Sequence, residues 1–361
     1  MKHNQAISTR TPTTGELVLP EQLARQAADA VRELLAEAAA ANTTRSYASA
    51  LRYWAGWYQP RFGTEFVLPV SEAVVVQFVV DHFARRKKDG LMAFELPPEI
   101  DQRLVDAGLK AKLGPWKLAT VRHRVAVLST AHRLKRLANP CEQPAVRTVL
   151  SRAQRASVKR GERPAKKTAI TKAELEAMLA TCDDSLKGVR DRALLCFGFA
   201  SGGRRRSEIA TANLQDLRKT GPAAYTYRLE HSKTQQAGAG ANSTPDKPVL
   251  DRAADALTAW LCASGIQEGA IFRRLWKDRV GPTLSPAAIG EIVQRRARLA
   301  RLEGDFGGHS LRSGFVTEAG KQGVPLAAVM AMTEHRAVAS VVGYFQAGSA
   351  ADNPAARLLE T

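Results

Sequence analysis

A segment in the second half of the sequence carries arginines whose placement suits phosphate chemistry. In residues 201–208, Ser-Gly-Gly-Arg-Arg-Arg-Ser-Glu, three arginines stand where a helix is predicted to begin. An arginine can donate two parallel hydrogen bonds to a phosphate, and the first turn of a helix favours an anion. Arg205 and Glu208 are three positions apart, so they share a helix face. Taken alone, the segment fits a non-specific basic patch about as well as a phosphate site.

Further candidate groups follow along the chain. Lys233 lies at the end of a predicted strand, where a lysine is ordinarily a solvated loop residue. His309 and Arg312 form a His-x-x-Arg pair, which by itself is weak because such pairs occur by chance in many helical proteins. Tyr344 follows His335 by nine positions. Residues nine apart face opposite sides of one straight helix. The two can therefore converge only if the chain bends between them or if His335 precedes the helix that carries the tyrosine, and we expect the second arrangement.

Together these residue types meet the needs of phosphoryl transfer. Such a site needs cations at the non-bridging oxygens, a nucleophile, and an acid for the leaving oxygen. Many nucleases supply the cations as metal ions held by clustered carboxylates, and we find no such Asp/Glu cluster in the second half of the sequence. Side-chain cations would therefore have to serve.

The elements that must position these groups are mostly helical. Residues 169–361 are predicted to form a mainly helical domain with one small antiparallel sheet near its start. Thr171 and Glu174 form a capping-box pattern at its first helix. Further helices are predicted at 188–200, 253–264, 286–302, 310–322, 326–332 and 337–345. Short strands are predicted at 214–217, 224–230 and 247–250.

The first half of the sequence is predicted to form an all-helical domain over residues 20–150, preceded by a flexible N-terminus at 1–19. We see no alternating strand pattern here, and paired prolines break the segment near residue 97. Helices are predicted at 21–40, 43–59, 74–88 and 118–137. The fold class is therefore mainly α, with two helical domains and a small β-sheet in the second.

A basic stretch at 151–168 is interpreted as the linker between the domains. Contact with DNA phosphates and plain solvation explain its charge equally well. Its basic residues are Arg152, Arg155, Lys159, Arg160, Arg163, Lys166 and Lys167. In the first domain we expect the helices near 43–57 and 118–137 to face DNA, with Arg122, His123, Arg133 and Lys135 as candidate contacts.

The composition predicts a polyanionic partner. The chain of 361 residues has 53 Lys and Arg against 35 Asp and Glu, a formal net charge of +18. A folded protein this basic is typical of nucleic-acid binding. No apolar run could span a membrane, and the N-terminus lacks the apolar core of a secretory signal. The four cysteines are widely spaced, without metal-ligand pairing. We therefore expect a cytoplasmic protein with no membrane contact.

In this order, the candidate residues resemble the active site of the tyrosine recombinase (phage integrase) family. The family pattern is Arg-x-x-Glu on a helix, a hairpin Lys, His-x-x-Arg, His or Trp, and a Tyr nine residues later. The helical first half looks like the family's core-binding domain. The His-Ser-Lys-Thr segment at 231–234 and the C-terminal stretch look closest to the Cre-like branch.

The resemblance implies a role for each residue. Tyr344 would attack the scissile phosphate and form a 3′-phosphotyrosyl link, leaving a 5′ hydroxyl. Arg205 and Arg312 would clamp the non-bridging oxygens, and Lys233 would protonate the departing 5′ oxygen. The remaining groups would assist: His309 at the tyrosine proton or the phosphate, His335 by another hydrogen bond, and Glu208 by positioning nearby basic groups.

The resemblance also implies a site-specific recombinase that works without ATP, metal or other cofactor. It would act as a homo-tetramer on two double-stranded DNA sites. In such assemblies the C-terminal helix often docks into a neighbouring subunit, and residues 353–359 are our candidate for that exchange.

The sequence departs from the family pattern at three places. Arg204 and Arg206 flank Arg205 where the family usually has apolar residues, and the spacing to the following glutamate favours Arg205. A long glycine-rich loop follows Lys233. Glu334 stands where a glycine usually precedes the histidine.

Three other functions stay open. A type IB topoisomerase uses similar groups and the same covalent link as a monomer, and a telomere resolvase is a longer enzyme of related type. A non-catalytic DNA-binding regulator would need only the basic charge and the helices. The regulator hypothesis leaves the ordered set of residues unexplained.

Overall fold

The computed structural model describes residues 41–162, 167–229, 244–277, 279–335 and 337–349, with the backbone alone at 41–42 and 346–349. The chain divides into two compact units, Met1–Pro164 and Ala165–Thr361. The helix predicted at 21–40, the hairpin residue Lys233 and the segment 353–359 lie outside the described residues.

Five α-helices, a 3-10 turn and two very short strands make up the described part of the first unit. They are α1 (Ala41–Phe62), α2 (Glu72–His82), β1 (Arg85–Arg86), β2 (Met92–Ala93), α3 (Pro98–Asp106), α4 (Leu118–Leu134), the 3-10 turn Pro140–Glu142 and α5 (Pro144–Lys159).

An aromatic cluster forms the core of the first unit. Trp54 and Trp57 of α1 are three positions apart and are both fully buried. The Trp54 ring stacks on Phe78 of α2, with 3.8 Å between ring centroids. Trp57 Nε1 donates to Asp81 Oδ2 at 2.9 Å, and this carboxylate oxygen also accepts from Arg61 Nε at 3.0 Å. Trp54 and Trp57 of the helix predicted at this position therefore pack into the core, and Trp57 donates a hydrogen bond to the buried carboxylate of Asp81.

The prediction of a first unit without strands is wrong. β1 and β2 pair antiparallel, with Arg85 opposite Ala93. Gly90, in the Asp-Gly dipeptide between them, has a φ of 85°, and this dipeptide favours a hairpin turn. The helix predicted at 74–88 consequently ends at His82.

Prolines begin two helices that the sequence analysis did not predict. Pro98 and Pro144 each occupy the first turn of a helix, where the missing N–H has no intrahelical partner to lose and the fixed φ suits the helix. α3 therefore fills the stretch that its prolines were expected to break. Because α5 extends to Lys159, the interpretation of residues 151–168 as a linker is wrong for residues 151–159.

The second unit is mainly helical, which confirms the predicted fold class. Its described elements are α6 (Lys172–Ala180), α7 (Leu186–Ala200), α8 (Arg206–Ala210), the 3-10 turn Leu214–Asp216, β3 (Leu217–Gly221), β4 (Ala224–Arg228), β5 (Asp246–Leu250), α9 (Asp251–Ser264), β6 (Arg273–Trp276), β7 (Arg279–Thr283), α10 (Pro286–Leu299), α11 (Gly308–Lys321), α12 (Leu326–Thr333) and α13 (Ala339–Ser349).

The predicted sheet and helices of this unit are present, with ends shifted by a few residues. β3, β4 and β5 form an antiparallel sheet in that order, although residues 214–216 form a 3-10 turn instead of a strand. The capping box is confirmed, since Thr171 N donates to Glu174 Oε2 at 2.8 Å. The hairpin β6–β7 was not predicted.

α7 is the central helix of the second unit and leads directly into the arginine segment. Its side chains Leu194, Leu195 and Phe197 are fully buried, and the helix packs against α9 and α11. This packing fixes where residues 201–208 begin. Among the described residues, no helix is long and apolar enough to cross a bilayer.

Truncating a buried leucine of the first unit should destabilise the chain far more than truncating an exposed one. Leu104 of α3 is 1% exposed and Leu134 of α4 is 73% exposed. We expect Leu104→Ala to lower the free energy of unfolding by about 2–5 kcal/mol and Leu134→Ala to change it by less than about 0.5 kcal/mol. Urea denaturation followed by tryptophan fluorescence measures both. Similar losses in the two variants would contradict the assignment of α3 to the core.

Candidate active site

Arg205 and Glu208 form an ion pair at the start of α8. Arg205 is the N-cap residue of this helix. One carboxylate oxygen of Glu208 accepts from the backbone N–H of Arg205 at 3.1 Å, and the other accepts from its guanidinium. The Glu208 side chain is buried, whereas 20% of the Arg205 side chain is exposed. The carboxylate therefore orients a guanidinium whose outer side reaches solvent.

The charge on Glu208 is maintained by its neighbours. Burial acts to raise the pKa of this carboxyl group, but the guanidinium groups of Arg204 and Arg205 outweigh it and lower the pKa. Glu208 is therefore ionised at neutral pH and offsets part of the positive charge of the arginine segment.

Gly203 allows the arginine segment to pack directly against α11. Its φ is +66°, a left-handed conformation that glycine adopts without penalty, and a Cβ here would lie 2.6 Å from the Cα of Arg312. Arg312 Nη1 donates to Gly203 O at 3.3 Å. This close approach brings together the two arginine-containing segments that the sequence analysis singled out.

The guanidinium group of Arg312 is held in place by Thr333 and His335. Arg312 is 2% exposed. Its Nη2 donates to Thr333 O, and its Nε lies 3.4 Å from His335 Nε2. Burial, and then the charge of Arg205, lower the pKa of Arg312 to about 9. The guanidinium is thus charged at neutral pH but poorly solvated, which favours binding of an anion.

His335 lies between the end of α12 and Ala339, where α13 begins, so it precedes the helix of the tyrosine as predicted. Its Nδ1 is 2.7 Å from Thr333 Oγ1. Burial, and then Arg312, lower the pKa of His335 to about 4, so the ring is neutral at pH 7. The pKa of His309 is also lowered, first by partial burial and then by Arg312.

Tyr344 is positioned by the packing of α13 on α11. A Cβ on Gly320 of α11 would lie 2.2 Å from Phe345 O, so a larger residue would push the helices apart. Thr317 Oγ1 donates to Tyr344 O at 3.3 Å. The Tyr344 ring meets the His309 ring edge-on, with 6.2 Å between centroids and 66° between planes. Tyrosine and histidine from different helices therefore lie side by side.

A basic cleft of about 450 Å³ opens beside Arg205 and His309. Arg206 and Lys167 add positive charge to its wall, and Lys167 also pairs with Asp305. Positive charge gathered in a concave surface favours a polyanion. In the part of the chain that the structure describes, no three His, Cys, Asp or Glu side chains are grouped as a metal ion would require.

The DNA contacts predicted in the first unit lie on α4, at its C-cap and on α5. Seven of them are exposed: Arg122, His123, Arg133, Lys135, Arg152, Arg155 and Lys159. Arg160 instead lies over the ring of Phe83, 5.1 Å from the centroid, and pairs with Glu162 at 2.6 Å. Arg163 and Lys166 lie outside the described residues.

Two buried cations near the site were not predicted to have a function. Lys247 lies on the inner face of β5 and is 0% exposed. The signal for it was the alternation along this strand, which places Lys247 and Val249 on the same buried face. Arg204 is also fully buried and donates to Met332 O. No pattern indicated this burial, because a run of three arginines is typical of a surface.

Comparison with known proteins identifies the family of this chain. Residues 168–350 match the model of the phage integrase family. The chain is 32% identical over 244 residues to an integrase/recombinase xerD homolog of Selenomonas ruminantium, covering 64% of this chain and 70% of the relative. A lambda integrase fragment, solved as a dimer bound to a COC′ core site, has a TM-score of 0.54 at 15% identity and covers 92% of this chain and 96% of its own. A Tn1549 transposon integrase bound to transposon right-end DNA has a TM-score of 0.54 at 13% identity, covering 88% and 95%.

The sequence matches define the class of enzyme, a tyrosine recombinase, which cleaves and rejoins DNA. The chain belongs to the phage integrase family. The resemblance found in the sequence is therefore confirmed for the family, while the Cre-like branch stays a prediction.

Acidification should destabilise the protein through His335. A histidine in an unfolded chain has a pKa near 6.5, whereas the pKa of folded His335 is about 4. The unfolded chain therefore binds this proton more readily. The stability that the neutral His335 ring contributes is fully present above about pH 6.5 and is lost as the pH falls toward 4. We expect thermal unfolding of His335→Gln to show a smaller loss of Tm than the wild type over this range. Equal losses would show that His335 does not titrate as described.

Proposed function

We propose that this chain is a site-specific DNA recombinase that cleaves and rejoins DNA through a 3′-phosphotyrosyl intermediate at Tyr344. One observation carries the proposal. Four segments distant in sequence bring the tyrosine, two histidines and two arginines into one unit, beside a basic cleft. These are the nucleophile and the cations that phosphoryl transfer requires.

In the proposed first step, Tyr344 Oη attacks the scissile phosphorus and the bond to the 5′ oxygen breaks. Arg205 and Arg312 would bind the non-bridging oxygens. The two guanidinium groups repel each other, and the charge of Arg205 contributes to the lowered pKa of Arg312. A phosphate relieves this repulsion, and it relieves it most when negative charge increases in the transition state.

The proposed proton transfers use neutral histidines. His309, beside the Tyr344 ring, would accept the phenolic proton as the new bond forms. His335 Nε2 faces Arg312 Nε at 3.4 Å, so His335 would orient that guanidinium at the phosphate. A direct hydrogen bond from His335 to the phosphate rests on the family resemblance. Lys233, whose role rests on the family resemblance, would give a proton to the departing 5′ oxygen. Rejoining reverses these transfers with a new 5′ hydroxyl as the nucleophile.

The phosphotyrosyl bond would conserve the energy of the broken phosphodiester. The proposed reaction therefore needs no ATP, and the arginines supply the cations that a metal ion supplies in many nucleases. Exchange of strands between two sites requires several active sites held together, so we propose a homo-tetramer on two double-stranded DNA sites. Residues 353–359 would dock into a neighbouring subunit.

The exposed basic residues of the first unit would contact the DNA backbone. They lie on two helices: Arg122, His123, Arg133 and Lys135 on or directly after α4, and Arg152, Arg155 and Lys159 on α5. In the second unit, Lys167 at the cleft would add a contact near the scissile phosphate, and Arg163 and Lys166 precede it in the sequence. Arg160 would contribute less, because it is already paired within its own unit.

Replacement of Tyr344 should abolish covalent attachment to DNA without abolishing DNA binding. The protein is incubated with sheared DNA from its source organism, denatured with detergent, and assayed for protein-linked DNA. We expect wild-type adducts that cluster at one sequence motif, and none from Tyr344→Phe. Tyr225→Phe is the matched control, since the Tyr225 hydroxyl bonds Thr258 Oγ1 at 2.9 Å within the same unit. Adducts from Tyr344→Phe would refute the assignment of the nucleophile, and tight binding without adducts from any protein would favour a DNA-binding regulator.

A further inference from the structure

The end of α12 is held by three cations from three other elements. Lys247 Nζ of β5 donates to Ala331 O at 2.7 Å. The guanidinium of Arg204 donates to Met332 O, and that of Arg312 donates to Thr333 O. The last carbonyl groups of a helix have no intrahelical partner and carry partial negative charge. Three successive carbonyls thus each receive a positive side chain immediately before His335.

Glu334 is the next residue and occupies a position that favours glycine. Its φ is 55° and its ψ is 40°, a left-handed conformation in which a side chain costs energy. Its carboxylate is buried and lies 2.6 Å from Lys247 Nζ, which is itself 0% exposed. Thr244 Oγ1 joins the same group by donating to Ala331 O at 2.8 Å.

The carboxylate of Glu334 is needed for charge balance. Arg204 is fully buried, and its Nε and Nη1 have no hydrogen-bond partner among the described residues. A carboxylate oxygen of Glu208 lies 3.8 Å from its Nη1. Buried cations without compensating anions are costly. Removing Glu334 would take away the carboxylate that pairs with Lys247 and leave its ammonium group with the carbonyl groups of Thr244 and Ala331 and the Thr244 hydroxyl.

We propose that Glu334 and Lys247 are positioning residues for His335. The ion pair fixes the left-handed turn that ends α12, and this turn sets the direction in which the chain leaves toward His335. The turn thereby holds the His335 ring against Arg312 and Thr333. This inference rests on the proposed strand-transfer function and deepens it, because the pair would act on the reaction through His335 and not through DNA.

A double-mutant cycle tests the proposal. Covalent adduct formation on sheared source DNA is timed for the wild type, Glu334→Gln, His335→Gln and the double variant, with DNA binding and Tm measured in parallel. Glu334→Gln keeps the shape of the side chain but removes its charge. We expect it to slow adduct formation by roughly tenfold or more and to leave DNA binding unchanged. In the His335→Gln background the same change should cause little further loss.

Two matched comparisons separate positioning from general stability. Glu318→Gln removes another partly buried carboxylate of the same unit, which accepts from Lys172 N at 3.1 Å, and should leave the rate of adduct formation unchanged. Lys247→Arg should retain much of the rate that Lys247→Met loses, because it keeps the charge.

Each result bears on the proposal. A slowing by the same factor with and without His335 would overturn it, and so would an unchanged rate in Glu334→Gln. Equal loss in Lys247→Arg and Lys247→Met would also contradict it. Absence of adducts from the wild type would instead reject the proposed function itself, and the positioning role with it.

Discussion

Buried positive charge is the constraint on which the rest of the site depends. Arg204, Arg312 and Lys247 are almost completely removed from water, and the buried carboxylates beside them belong to Glu208 and Glu334. Such charges are tolerated only when they are paired or bound to carbonyl groups. Glu208 pairs with the arginine segment, Glu334 pairs with Lys247, and a helix end accepts one hydrogen bond from each of the three cations. Arg205, whose side chain is 20% exposed, lines the cleft, where a DNA phosphate would add negative charge.

The backbone makes this concentration of charge possible by bringing helix ends together. Arg205 caps the start of α8, His309 lies in the first turn of α11, and His335 follows the end of α12. Helix ends expose unpaired N–H and C=O groups that can bind charged partners. Glycines at two close approaches, Gly203 and Gly320, allow the segments to pack without intervening side chains. The proposed active site therefore depends on how several helices end and meet, more than on any one helix.

The candidate reacting groups could be named from the sequence because phosphoryl transfer restricts them to few residue types, and their order was recognised through the family resemblance. The position of His335 before the helix of Tyr344 was also predicted, because residues nine apart lie on opposite sides of one straight helix, and this position was preferred over a bend in the chain. Prediction failed where tertiary packing decides. The run of three arginines did not indicate that Arg204 would be buried. The sequence also could not show that Lys247 pairs with Glu334, which is 87 residues away along the chain. The missed helix α3 had a local signal, since a proline is as suited to beginning a helix as to breaking one.

The identity of the residue linked to DNA tests the account most directly. Covalent complexes trapped on source DNA are digested with trypsin and nuclease, and the nucleotide-linked peptide is sequenced by mass spectrometry. We expect a single modified residue, Tyr344, joined through a 3′ phosphate, with the opposite DNA end carrying a 5′ hydroxyl. Attachment to another residue, or linkage through a 5′ phosphate, would contradict it.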